Sequence, residues 1–444
     1  MYEPFYAKSP GNSGYIKNME VLGFHDLSGV MAFQMALHKA GEKYYMYCGS
    51  FRHSGLNIID VTDPRNPRFV KWLETVRHED YPNTKSLKVQ IADNLLVVGL
   101  AGGGPTTLNE VNTALKGQTG VMIYDLSQDP ENPLFLSHWD SGVPNSFGVH
   151  RFCYRGGRYI HLTCMCKGFC ELIYRILDIQ DPRHPVEVGR WWLPEQFIGG
   201  YFPEKEKKWT HLEYPGTHMI YVEDNIAYVP CNGGGLCLLD ISDVTLPQLV
   251  GQLKICPPFS GRLAAARCHT ALPLKGRPFA VLTNEGQRYQ YYNPEIINNV
   301  AQPMNGIFIV DVRSVTDPVL VSVFPYPEVP ENYPFPDFNV VCGAPGPFGP
   351  HNLHEPMGKP GLEDNPNRVY CCYFHAGMRV YDVTNPYNIK EIAYFIPPNP
   401  EKMLFPQNLP GNLIAAAEDC VVDDRGIIYM STLHDGMYIL RAVV

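Results

Sequence analysis

The chain has 444 residues, 45% of them hydrophobic, and a net charge of -9, which allows a large core and argues against a nucleic-acid footprint. No run of about 18 apolar residues is present, which excludes a membrane-spanning helix, and the opening MYEPFYAKSPGNSGY lacks the basic-then-apolar plan of a signal peptide. Thirteen cysteines in such a chain read as reduced thiols of a cytoplasmic protein, and 40 prolines with 39 glycines suit short strands joined by many turns.

In chain order, a strand-like run at 15–23 (YIKNMEVLG) comes first. A recurring unit follows: Gly, four or five alternating apolar residues, Asp, an apolar and a polar residue, then an Asp/Asn-Pro turn. It reads GLNIIDVTDPRNPRFVKWL at 55–73, GVMIYDLSQDPENPLFLSHW at 120–139 and ELIYRILDIQDPRHPVEVGRW at 171–191. It returns as GGLCLLDISDVTLPQLVGQL (234–253), NGIFIVDVRSVTDPVLVSVF (305–324) and GMRVYDVTNPYNIKEIAYF (377–395), and a truncated GMYILRAVV ends the chain. Asp60, Asp125, Asp178, Asp240, Asp311 and Asp382 mark the copies, at the roughly 50–70-residue period of a propeller blade with loop insertions.

Two further strand-like runs precede each copy, as in THMIYVED and NIAYVPC before the fourth. Each unit therefore has four strands, A to D, with C the Gly-to-Asp run. The prediction is all-β: one seven-bladed β-propeller domain over 1–444, a plan that hides sheet edges by closing into a ring. The blades fall at 30–73, 85–139, 147–192, 216–253, 267–324, 350–395 and 418–444, with 15–23 completing the last.

The strand C cores, above all Leu56–Val61 (LNIIDV) and Ile307–Val312 (IFIVDV), resemble the LVIVD-repeat proteins, a propeller family. The resemblance covers nearly the whole chain and implies the fold. It implies no particular chemistry, because fold does not fix function.

Superposing the blades gives one shared register at the start of strand A. It reads Phe33 (or Gln34), Leu87, His150, His218, His269, His351 and Glu418. The chain holds 15 histidines in 444 residues, so four at one register in consecutive blades is a pattern. A single strand-start His is ordinarily a structural hydrogen-bonder, but that reading predicts the same residue all round the ring. The arc instead predicts His150, His218, His269 and His351 as ligands of a metal at the channel mouth. Imidazoles suit a first-row transition metal rather than Ca or Mg; Fe(II) is favoured, with Zn or Mn as alternatives. Glu418 is a further ligand or an acceptor that orients a histidine. The plan is similar to that of carotenoid-cleaving oxygenases, whose iron is held by four histidines on a propeller axis but whose sequence motifs are not present here; oligogalacturonate lyases, with several His and a Gln around manganese on a propeller, are a competing analogy.

A second register holds His53, His375 and His434, each two residues before the Gly that opens strand C. These read as catalytic acid/base or substrate-contacting groups at the rim, or as turn residues bonded to backbone. In GPHNLHEP (349–356), His354 lies at an odd offset from His351, which points it to the other side of the pleat unless the backbone is bulged; His354 and Glu355 are expected to support the ligands from behind or to serve structure. Cys164, Cys166 and Cys170 match no standard zinc spacing and read as small buried residues. AGGGP (101–105) lacks a phosphate-loop lysine.

Long insertions at 101–118, 193–217, 284–304, 325–349 and 396–417 all join B to C or D to A, hence lie on one face. Their aromatic content, as at 287–292 and 324–337, suggests a small apolar or aromatic organic substrate. The expectation is a metal-dependent enzyme with non-haem iron oxidative chemistry. The alternatives are a Zn or Mn lyase or hydrolase on the same site, and a non-catalytic protein-interaction propeller. No nucleic-acid partner is expected, and the oligomeric state is not legible.

Overall fold

Each Gly-to-Asp run is a strand that ends at its aspartate, because the carboxylate turns the chain. Asp60, Asp125, Asp178, Asp240, Asp311 and Asp382 each accept a hydrogen bond from the N–H two residues on, at 2.7–3.0 Å. Asp63, Asp129, Asp181, Asp243 and Asn385 repeat the device a few residues later and bring the chain round into strand D.

The computed structural model describes residues 14–103, 116–198, 215–255, 268–285, 306–333, 338, 349–356, 358–400 and 416–444. These form seven four-stranded sheets, with no α-helix among the described residues. In blade one, strands A to D are Ala32–Ala40, Lys43–Ser50, Gly55–Asp60 and Arg68–Glu74. Blades two to five repeat that order. In blade six the start of strand A is reduced to a bridge from Leu353 to Cys371.

The N-terminal run departs from expectation. It is two strands, not one over 15–23. Tyr15–Lys17 pairs with Lys390–Ile396 on the outer edge of blade six, and Met19–His25 pairs with Met437–Ala442 to complete blade seven. The break is at Asn18, whose φ of 51° is a left-handed conformation that asparagine tolerates and a strand does not.

Neighbouring blades pack through one repeated contact. A small residue on strand D abuts a carbonyl in the next blade's C–D turn. A Cβ added to Gly189 would meet Val244 O at 1.9 Å, one on Gly251 would meet Val315 O at 1.9 Å, and one on Gly23 would meet Pro64 O at 2.4 Å. The Gly23 contact joins blade seven to blade one and closes the ring. In blades two and five serine stands there instead, and Ser137 and Ser322 donate to Pro182 O and Pro386 O at 2.6 and 2.5 Å. Apolar side chains of strands A to C fill the space between blades; one cluster runs from Met219 through Phe308 to Tyr394.

Strand A bulges at the same place in five blades. The pairing with strand B skips between Ala32 and Met35, Ser86 and Val89, Val149 and Arg151, Cys268 and Thr270, and Ala417 and Asp419. The skipped residues include Phe33, Leu87, His150, His269 and Glu418, all on the shared register. A bulge re-aims side chains and breaks strict alternation, so adjacent residues such as His150 and Arg151 can both face the axis.

Candidate functional site

The four histidines of the arc come together. The Nε2 atoms of His150 and His218 are 3.1 Å apart. Ring centroids step from His150 to His218 at 4.8 Å, to His269 at 4.0 Å and to His351 at 4.8 Å. Backbone bonds hold the two members outside a bulged ladder: His218 N–H donates to Pro230 O, and His351 N–H to Cys372 O.

Two of the rings are oriented from behind. His351 donates from Nδ1 to the carbonyl of Glu418 at 2.9 Å, which leaves its Nε2 lone pair facing the axis. His269 Nδ1 lies 2.7 Å from Thr270 Oγ1, and its Nε2 is buried without a hydrogen-bond partner. Burial pushes His150 and His269 well below the ordinary imidazole range, aided by the Arg151 charge at His150 and by His218 at His269. Burial, then the Arg151 guanidinium, lowers His351 to about 3. These three rings are therefore neutral at neutral pH, the form in which imidazole binds a metal.

Glu285 joins the arc. Its carboxylate and one nitrogen each of His218 and His269 lie within 4.8 Å of one another, and its Oε1 is 3.9 Å from His351 Nε2. Sequence reasoning missed it, because it follows strand B of blade five (Phe279–Asn284) and no repeat marks that position. Glu418 stands on the far side of His351, its Oε2 3.6 Å from Nδ1. Burial pushes its carboxyl well above the usual range.

Aromatic rings wall the arc. Phe147 lies 4.7 Å from His150, and Phe374 stacks on His351 at 4.5 Å. Phe33, the blade-one member of the register, is 6.1 Å from His150.

The rim histidines differ among themselves. His53 is exposed; its Nδ1 is 3.2 Å from Ser50 Oγ and its ring stands edge-on to Trp72. His375 is buried, edge-on to Phe338. His434 is 3% exposed and neither ring nitrogen has a hydrogen-bond partner; burial lowers it to about 4. Most of the five insertions, including the aromatic run 287–292, lie outside the described residues.

His354 is structural: Nε2 bonds Glu363 O at 2.9 Å and Nδ1 accepts from Val422 N–H at 3.1 Å. Glu355, four residues from His351, pairs with Lys88 at 2.8 Å. Cys164, Cys166 and Cys170 turn to Arg175, Arg190 and Glu195 O respectively, and no disulfide joins the described cysteines.

Residues 217–254 match the family model of the LVIVD repeat. No curated protein matches the chain in sequence. Among solved structures, the periplasmic gluconolactonase PpgL of Pseudomonas aeruginosa is similar with a TM-score of 0.51 and 11% identity, over 92% of this chain and 93% of that one. Sqt1 of Saccharomyces cerevisiae gives 0.48 and 7%, over 96% and 87%. The computationally designed protein Ika8 gives 0.47 and 10%, over 94% and 98%. At 11% identity the likeness to PpgL is one of fold alone. No helix among the described residues is long and apolar enough to cross a membrane.

Proposed function

We propose that this chain, an LVIVD-repeat β-propeller, is a metal-dependent enzyme acting on a small apolar or aromatic organic molecule at the propeller axis. His150, His218, His269 and His351 would hold the ion, with Glu285 as a further donor. The observation that carries the reading is convergence: imidazoles from four consecutive blades form one contiguous arc, at whose centre ligand atoms of His218, His269 and Glu285 lie within 4.8 Å of one another. The 3.1 Å between Nε2 of His150 and Nε2 of His218 suits two ligands of one ion. Nitrogens about 2.0–2.1 Å from a first-row metal stand roughly 2.9–3.4 Å from each other.

A neutral, nitrogen-rich set with one carboxylate favours Fe(II), with Zn or Mn as the alternatives. Bound there, the metal would supply Lewis acidity and, if iron, redox chemistry with dioxygen. The chain's own residues do the rest. Phe33, Phe147 and Phe374 exclude water and take apolar substrate surface. Glu418 steadies His351 through its backbone carbonyl. Among the rim residues His53, His375 and His434, the last is the preferred proton carrier, because both its nitrogens lack partners. The free thiols suit a reducing compartment, the cytoplasm.

The test is to load the metal-free chain separately with Fe(II), Zn(II) and Mn(II), and to assay aromatic substrates with and without oxygen. Oxygen consumption with Fe(II) alone supports oxidative chemistry. Oxygen-independent turnover with Zn or Mn supports a lyase or hydrolase. Failure to retain any of the three metals overturns the enzyme reading in favour of a protein-interaction propeller.

A further inference from the structure

Arg151 follows His150 on strand A and is 1% exposed. Its guanidinium packs over the ring of Phe33, 4.8 Å from the centroid. Its Nη2 lies 3.5 Å from Nε2 of His351. Its Nε and Nη1 are buried with no hydrogen-bond partner. A buried cation with idle donors is costly, and a metal held by the same arc would repel it. The nearest comparable cation, Lys88, is already answered by Glu355 at 2.8 Å. A guanidinium with two idle donors, its face on Phe33 and with Phe147 and Phe374 against the neighbouring His150 and His351, matches a monoanion that carries a ring; Glu418, Asp419, Glu285 and Glu355 offset its charge through space but leave Nε and Nη1 without a hydrogen bond.

We propose that Arg151 is the anion-binding residue of the axial site and that the substrate is a small aromatic carboxylate. The carboxylate accepts from the idle donors of Arg151, and the ring lies against the phenylalanines. An anion on Nε and Nη1 of Arg151 offsets the repulsion between the guanidinium and a bound metal. The inference rests on reading the axial histidines as a substrate site and adds the substrate's charge and shape.

Benzoate is the probe, titrated calorimetrically into the full chain, metal-free and Zn(II)-loaded, with acetate and inorganic phosphate as comparison ions. Benzoate should bind at least tenfold more tightly than acetate, and phosphate should not displace it. Arg151→Met should weaken benzoate at least tenfold while metal uptake persists, and Arg151→Lys should recover part of the loss. Phe147→Ala should weaken benzoate more than acetate, which keeps the test open if Arg151→Met does not fold. Unchanged benzoate binding in Arg151→Met or Arg151→Lys, or equal binding of all three ions, would overturn the proposal. Benzoate bound through Arg151 by a chain that takes up no metal would leave this inference standing and remove the metal reading. Metal bound with benzoate indifferent to Arg151 would do the reverse.

Discussion

Lys88→Met alone should cost far more stability than Lys88→Met combined with Glu355→Gln. Lys88 reaches across the axis from blade two to the segment entering blade six, its Nζ 2.8 and 3.1 Å from the two carboxylate oxygens of Glu355. The side chains are 2% and 17% exposed, and Gln90 Nε2 donates to the same carboxylate at 2.6 Å. Removing Lys88 strands a desolvated carboxylate, and breaking a buried pair in this way costs about 3–5 kcal/mol. With both charges gone, the loss should fall to about 1–2 kcal/mol, the scale of ordinary hydrogen bonds and packing. The double variant should then be about 2–3 kcal/mol more stable than Lys88→Met alone, which independent sites cannot give. Urea unfolding at pH 7, followed by tryptophan fluorescence on all four proteins of the cycle, measures it. If Lys88→Met costs under about 1 kcal/mol, or the double variant loses the sum of the singles, the pair is not a desolvated axial stitch.

Three further outcomes follow from the same geometry. His434 sits near pKa 4 when folded and about 6.5 when unfolded. The unfolded chain therefore takes up its proton first as pH falls, and stability is lost from about 6.5 downward. Relative to wild type, His434→Phe should gain about 2 kcal/mol between pH 7 and pH 5; a pH-independent difference would contradict the shift. Gly251→Ala forces a Cβ to 1.9 Å from Val315 O and should destabilise by about 2–3 kcal/mol, an overpacking cost, in thermal or denaturant unfolding; a neutral result would mean blades four and five part freely. Deleting residues 1–18 should leave the ring closed, whereas deleting 1–25 removes the strand that completes blade seven and should abolish cooperative unfolding or cause aggregation through the exposed edge.

Much of the fold is legible in the sequence because one chemical device repeats. The Asp at the end of strand C caps a turn in six blades, so it recurs as a letter. The histidine register is legible for a related reason: His150, His269 and Glu418 occupy the same bulge in their blades. The bulge itself is not legible. Strict alternation turns Arg151 and Lys88 away from the axis, and the bulge brings them back. That is why the buried cation beside His351 has no sequence signature. Glu285 is hidden for a different reason, since it belongs to one blade alone and no second copy marks it. The split at Asn18 is hidden because no glycine or proline interrupts 15–22; only the positive φ divides it.

The central claim is that four blades deliver one metal centre to the axis. Elemental analysis of the purified chain beside a His218→Ala, His269→Ala double variant of equal stability tests it most directly. The account predicts about one first-row transition ion per wild-type chain and loss of that ion from the variant. A wild-type chain without stoichiometric metal after growth and reconstitution with Fe(II), Zn(II) and Mn(II), or a variant that keeps its metal, would contradict it.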